Sequence, residues 1–270
     1  MSNFIIEKSN QQSNQQSNQQ SNQQSNQQKK QPESEEIITI SAETAKRIAK
    51  EIRSLIKNPL HEEGIYYKHD EDNILKGYAY INGAKDSLYF GGNYFFEFNF
   101  PTNYPHSPPK VIFKTSDGIT RFHPNLYRNG KICLSILNTW KGEAWTGCQS
   151  IRSVLLTIIS ILDDKPLLHE PGYTIHHKDF ESYCRIISYK NIEHTILYYI
   201  ENKSNFFCLL FSEEIKKNFI KNKEELLKII KKNKSEKKIS TINTYIYNLK
   251  IVENWNEIYK HFNKIAVKIK

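Results

Sequence analysis

Four prolines within nine residues, at positions 101, 105, 108 and 109, rule out a helix there and impose a stiff, exposed loop. The segment running into that loop, Tyr94 to Phe100, puts Tyr94, Phe96, Phe98 and Phe100 on one face and Glu97 and Asn99 on the other. That is the period-two pattern of a half-buried strand. Beyond the loop, Lys110 to Lys114 repeats it with Val111 and Phe113 between lysines, and Gly77 to Asn82 is a third, short aromatic candidate. Turn residues fill the gaps (Asn82-Gly83, Gly91-Gly92, then the prolines), which predicts an antiparallel meander.

Helical patterns flank the meander. Ser41 is a good N-cap with Glu43 in the first turn, and Ile48, Ile52, Leu55 and Ile56 form one apolar stripe before Asn58-Pro59 ends the helix. Lys46, Lys50, Arg53 and Lys57 share a basic face. From Ser150 the period is helical again, with Ile151, Val154, Leu155, Ile158 and Leu162 inward and Asp163 to Pro166 as the stop. After Gly172 the chain reads helical over roughly 178–201, 212–233 and 253–268, with breaks at Asn202 to Asn205 and around Lys234 to Thr241. The predicted organisation is an α+β core at 41–175 and a basic helical C-terminal extension at 176–270. Residues 1–40 form a tail in which Ser-Asn-Gln-Gln occurs five times in succession, from Ser9 to Gln28. It has nothing to bury and is expected to stay disordered.

The chain has 270 residues, 38% of them hydrophobic, enough for one substantial core with an appendage. No apolar run reaches the length of a bilayer-spanning helix, and Met1 to Asn10 lacks a signal-like apolar stretch, so neither a membrane span nor secretion is expected. Cysteines at 133, 148, 184 and 208 show no metal-ligand spacing, so no metal site or disulfide framework is expected. Reduced thiols fit a cytoplasmic and/or nuclear location. Nearly all of the net charge of +9 sits in residues 201–270, which hold sixteen lysines against eight glutamates. Such a surface suits nucleic acid or an acidic protein, but it equally describes lysine-rich solvated helices, and nucleic acid is not expected as a partner.

The residues with chemistry lie between 101 and 172. Phe122-His123-Pro124-Asn125 and Tyr127 precede Asn129-Gly130-Lys131-Ile132-Cys133-Leu134, with Trp140 and Trp145 following. A cysteine just past an Asn-Gly turn, with a polar triad upstream, is an odd core filler. Together with the helix at 42–57, Tyr89-Phe90-Gly91-Gly92, Phe100-Pro101, Tyr104-Pro105 and Pro108-Pro109, in this order, these blocks resemble the ubiquitin-conjugating enzymes. Asn125 through Trp140, then Gly142, Trp145, Gln149-Ser150 and Glu170-Pro171-Gly172, look like the Z-type branch, which also carries a helical extension after its core.

The resemblance implies a core with an N-terminal helix, a four-stranded antiparallel meander and covering helices. It implies that an activating enzyme, which consumes ATP upstream, passes ubiquitin or a ubiquitin-like modifier to Cys133 as a thioester. Cys133 then gives the acyl group to a substrate lysine or a ligase, with no cofactor bound. Residue chemistry is compatible with this. An unperturbed thiol is about 3% thiolate at pH 7, enough to exchange with a thioester without a dedicated base. Asn125 could hydrogen-bond the tetrahedral oxyanion or hold the Cys133 loop. His123 fits a turn-fixing role better than that of a base, and Pro124 stiffens the turn. Tyr127 could pack on the incoming lysine and desolvate it. His169 and Glu170 stand where relatives carry an assisting aspartate or serine.

Family members present the basic face of the first helix to the activating enzyme, here Lys46, Lys50 and Arg53, though a solvated face explains each equally well. RING-type ligases usually grip an apolar residue in the Tyr-Pro loop and a Pro-Ala pair after the second Trp. This chain has His106 and Gly147-Cys148 there, which puts generic RING binding in doubt. The alternative to an active enzyme is a catalytically idle ubiquitin-binding or scaffold module of the same fold.

Overall fold

Helix α1 (Ala42–Lys57) begins at Ser41, whose hydroxyl accepts the Thr44 amide hydrogen at 3.0 Å. The computed structural model describes residues 39–236 and 239–269, so the repeat tail expected over 1–40 lies almost wholly outside the described residues. The inward face of α1 holds Thr44, Ala45, Ile48, Glu51 and Leu55. Ile56, expected in the apolar stripe, is instead 74% exposed. Buried Glu51 accepts from the Tyr104 hydroxyl at 2.9 Å and the Ile151 amide at 2.8 Å, and it pairs with Arg47. A carboxylate on this face is tolerated because each oxygen is satisfied.

Four strands follow: β1 (Ile65–His69), β2 (Lys76–Asn82), β3 (Asn93–Asn99) and β4 (Lys110–Phe113). They lie in the order β1-β2-β3-β4, each antiparallel to the next. Strand β1 has no alternating signature because Tyr66, Tyr67, Lys68 and His69 are all half-buried. On one face of the sheet, Tyr94, Phe96 and Phe98 join the core with Val154, Leu155 and Ile158 of α2 (Ile151–Ile161). Ser150 and Ser153 form a capping box at the start of α2.

The other face is equally aromatic. Tyr78, Tyr80 and Phe95 point away from α2 and are covered by Tyr199, Phe207, Phe211 and Ile215 of the extension. That extension runs through α3 (Phe180–Lys190), a π-helical segment (Asn191–Tyr198), α4 (Tyr199–Glu201), α5 (Phe206–Leu210) and the long α6 (Ser212–Glu236). The stretch from Lys234 to Thr241, expected as a simple break between helices, leads into a hairpin. Strands β5 (Ser240–Thr244) and β6 (Leu249–Glu253) pair Ile242 with Ile251 before α7 (Trp255–Lys268). The extension is therefore not helical throughout.

A buried polar clasp fastens the π-helical segment to the sheet. Asn191 accepts from the Tyr94 hydroxyl at 2.7 Å and donates to the Phe90 carbonyl at 2.9 Å, while Asn93 donates to the Thr195 carbonyl at 2.7 Å. Gly92 makes this approach possible, since a Cβ there would lie 2.0 Å from the Asn191 side-chain oxygen. Phe211 tests whether sheet and extension share one core, because its ring lies 5.7 Å from Tyr80 and 6.5 Å from Phe95. Phe211→Ala is expected to cost about 3–5 kcal/mol in urea unfolding while leaving one transition. Two resolved transitions would mean that the extension folds by itself.

Candidate active site

The chain between β4 and α2 has almost no regular structure, so hydrogen bonds to its carbonyls position the candidate residues. Two are reciprocal. The Cys133 amide donates to the Asn125 carbonyl at 2.9 Å, and the Asn125 side-chain amide donates to the Cys133 carbonyl at 2.6 Å. Both bonds tie Asn125 to the backbone of the Cys133 segment. The other Asn125 side-chain atom, Oδ1, is buried without a hydrogen-bond partner. The Asn-Gly turn behind Cys133 needs Gly130 at φ +86°, with the Gly130 amide donating to the Tyr127 carbonyl at 2.9 Å.

His123 is fully buried, and its Nδ1 accepts the Asn125 amide hydrogen at 3.0 Å. Burial holds its pKa well below the ordinary histidine value, with His169 adding to the effect and the Ile161 carbonyl opposing it. His169 lies alongside, ring centroids 4.8 Å apart, with its Nε2 2.7 Å from Asp163 Oδ2. Pro124 is buried and its carbonyl accepts from Arg121, whose Nε also donates to the His123 carbonyl at 3.2 Å. The Tyr127 ring lies under the Arg121 guanidinium, 3.3 Å from its centroid. That ring is therefore engaged within the chain as well as being a candidate lysine platform. Glu170 accepts from the Tyr247 hydroxyl in the hairpin of the extension.

Cys133 is buried, with 2% of its surface exposed. Burial raises the pKa of Cys184 to about 11 and that of Cys208 to about 12, which keeps both as thiols near neutral pH. Cys148 is exposed, and all four cysteines are free. A groove of about 400 Å³, lined by Pro108, Pro109, Asn129, Gly130 and Ile132, borders the site. A larger cavity of about 680 Å³ opens between α1, β1 and α5, and none of the candidate residues lines it.

The partner candidates lie on a different surface. Lys46, Lys50 and Arg53 are exposed on α1, and His106 is exposed beside Pro105. Lys46 and Lys50 line a groove of about 440 Å³ together with Glu43, Arg47 and Pro105. The Trp145 indole donates to the Pro105 carbonyl at 2.7 Å and Arg47 to the Gln149 carbonyl at 2.6 Å, which ties the Tyr-Pro loop and the 145–149 loop to this face. Among the described residues, no group of three or more His, Cys, Asp or Glu could hold a metal ion, and no helix is long and apolar enough to cross a membrane.

Sequence reading passed over Glu51, Arg121 and Tyr247. Glu51 had a local signal, because it falls three residues after Ile48 and four before Leu55, in an inward slot. Tyr247 had none, since its partners Glu170, Arg121 and Arg128 are distant in the chain, and of the contacts of Arg121 the one with Tyr247 is equally remote.

Comparison with known proteins agrees with this architecture. A family model described as ubiquitin-conjugating enzyme matches residues 47–188, more than half of the chain. The ubiquitin-conjugating enzyme E2 Z of Homo sapiens is 39% identical over 160 residues, covering 58% of this chain and 45% of its own length. The protein of the same name from Xenopus tropicalis is 39% identical over 160 residues, 58% of this chain and 50% of its own. A probable ubiquitin-conjugating enzyme, protein 17 of Caenorhabditis elegans, is 38% identical over 193 residues, 68% of this chain and 26% of its own. The chain thus spans half or less of the length of these curated relatives. With a helix, a four-stranded meander and covering helices in the matched region, the chain belongs to the ubiquitin-conjugating enzyme family and falls in its Z-type branch.

Proposed function

We propose that the chain carries ubiquitin, or a ubiquitin-like modifier, as a thioester on Cys133 between an activating enzyme and a substrate lysine or ligase. In loading, the Cys133 thiolate attacks the carbonyl carbon of the activating enzyme's thioester and that enzyme's thiolate leaves. In transfer, a neutral lysine amine attacks, the Cys133 thiolate leaves, and the amine's extra proton passes to solvent or a nearby base. ATP is consumed upstream and no cofactor is needed here. The observation that carries this reading is the reciprocal Asn125–Cys133 bonding, which ties the backbone of Cys133 to Asn125 just past the Asn129-Gly130 turn. No observation favours the idle-module alternative. The exposed Lys46, Lys50 and Arg53 fit contact with an acidic surface of the activating enzyme.

His123 fits a structural role here, because burial keeps its ring neutral and its Nδ1 is committed to the Asn125 amide.

A charging assay tests the proposal. Incubation with activating enzymes, ATP and ubiquitin or ubiquitin-like modifiers should give a thiol-sensitive adduct on non-reducing gels. Cys133→Ala is expected to abolish it and Cys148→Ala to leave it; no adduct across the panel from folded protein would overturn the reading. Asn125→Ala should still load but pass its modifier to free lysine about 100-fold more slowly or worse.

A second measurement concerns pH. His123 binds fewer protons folded than unfolded, so its contribution to stability is complete above the unfolded value near 6.5 and drains away as pH falls below it. Stability is expected to fall by about 1.4 kcal/mol per pH unit from this group below about pH 6. His69 and His194 add slopes of the same sign, since burial lowers both. In His123→Asn the slope between pH 6 and 5 should be shallower, and an unchanged slope would remove His123 from the account.

A further inference from the structure

The hairpin between β5 and β6 reaches the candidate site from the far end of the chain. Its turn places Tyr247 at φ +57° and Asn248 at φ +49°, the left-handed region that a tyrosine rarely adopts. An ordinary two-stranded turn has no use for a tyrosine there, and glycine or asparagine would fit at lower cost. The contacts of Tyr247 offer a reason. Its hydroxyl donates to Glu170, and its ring packs edge-on to Tyr183 with centroids 5.8 Å apart. Its ring centroid is 4.9 Å from the Arg121 guanidinium, and its carbonyl accepts from Arg128 at 2.6 Å. The preceding amide, Ile246, donates to buried Asp179 at 2.8 Å, so the turn is held in place from below.

Arg121 connects this turn to the segment that holds Cys133. The same guanidinium that meets Tyr247 and Tyr127 donates to the His123 and Pro124 carbonyls, on the segment leading to Asn125. Asn125 in turn holds the Cys133 carbonyl. The Arg121 carbonyl is itself fixed by the Tyr183 hydroxyl at 2.7 Å. A continuous set of contacts thus runs from Tyr247 through Arg121 and the His123-Pro124 turn to Asn125.

We propose that Tyr247 is a positioning residue for modifier transfer, acting through Arg121 to hold Asn125 in register with Cys133. The inference rests on the thioester-carrier reading above. A turn released from Arg121 would let the Asn125 amide drift, and misplacement by about 1 Å is enough to slow a reaction about 100-fold.

The test is single-turnover transfer from the purified thioester to free lysine, over a range of lysine concentrations, using the full chain. Tyr247→Ala is expected to lower the limiting rate constant at least tenfold with little change in the half-saturating lysine concentration. Tyr247→Phe, which keeps the ring on Arg121 and loses only the bond to Glu170, should stay within about threefold of the wild type. In an Asn125→Ala background Tyr247→Ala should cost less than twofold, because the group it positions is gone. Wild-type-like transfer by Tyr247→Ala, or an equal loss with and without Asn125, would overturn the role. If Tyr247→Ala does not melt cooperatively, Arg121→Lys decides in its place, with the same tenfold loss expected and a wild-type rate overturning the proposal. A wild-type chain that never loads would overturn the carrier reading and this inference together. Loading and transfer by the wild type, matched by the variants, would overturn only the inference.

Discussion

A sheet that is aromatic on both faces must be covered on both. Tyr94, Phe96 and Phe98 bury one side against α2, and Tyr78, Tyr80 and Phe95 bury the other against Tyr199, Phe207, Phe211 and Ile215. Each large side chain taken from water contributes roughly 1.5–3 kcal/mol, so neither layer is dispensable. The Asn191 clasp on Gly92 adds direction to that apolar contact. Its hydrogen bonds are satisfied only when the π-helical segment sits at one place along the Tyr89-Phe90-Gly91-Gly92 turn. The glycines of that motif thus serve a docking contact as well as a bend.

The irregular loops of the candidate site depend on this two-sided sheet. The Tyr89 hydroxyl donates to the Phe122 carbonyl at 2.8 Å and the Tyr183 hydroxyl to the Arg121 carbonyl at 2.7 Å. One of these tyrosines belongs to the turn before β3 and the other to α3, so the segment before Cys133 is held from both the core and the extension. Glu51 plays the matching role on the partner-facing side, where it ties α1, the Tyr104 loop and the start of α2 to one buried carboxylate. The two surfaces are separately braced.

Local chemistry explains which elements were legible. Ser41 and Ser150 mark helix starts because an N-cap is a short-range event, and both hydroxyls accept amide hydrogens in the structure. Strand β3 was legible because Tyr94, Phe96 and Phe98 are buried while Glu97 and Asn99 are half-buried. Strand β1 was not, since burial on both of its faces is partial and its residues mix Tyr, Lys and His. The β5–β6 hairpin did carry a period-two signal in Ile242, Thr244, Leu249, Ile251 and Glu253, all buried. A glutamate in the last of those slots obscured it. That carboxylate is buried because Arg185 of α3 pairs with it, a partner no local window contains.

The sequence by itself determined what depends on neighbours along the chain. That includes the capped helix from Ala42, the alternation of β3, the stiff proline loop, and the Asn129-Gly130 turn that sets Cys133 a fixed distance after Asn125. Only the tertiary structure decided what those residues meet. Arg121 meets the Tyr247 ring, and Glu170 is engaged by the Tyr247 hydroxyl, 77 residues away in the chain. The hairpin of the extension thereby touches residues beside the candidate site. Periodicity and turn chemistry act over a few residues and can be read from spacing. A contact between remote side chains depends on the path of every loop between them, and that path is settled only when both faces of the sheet are covered.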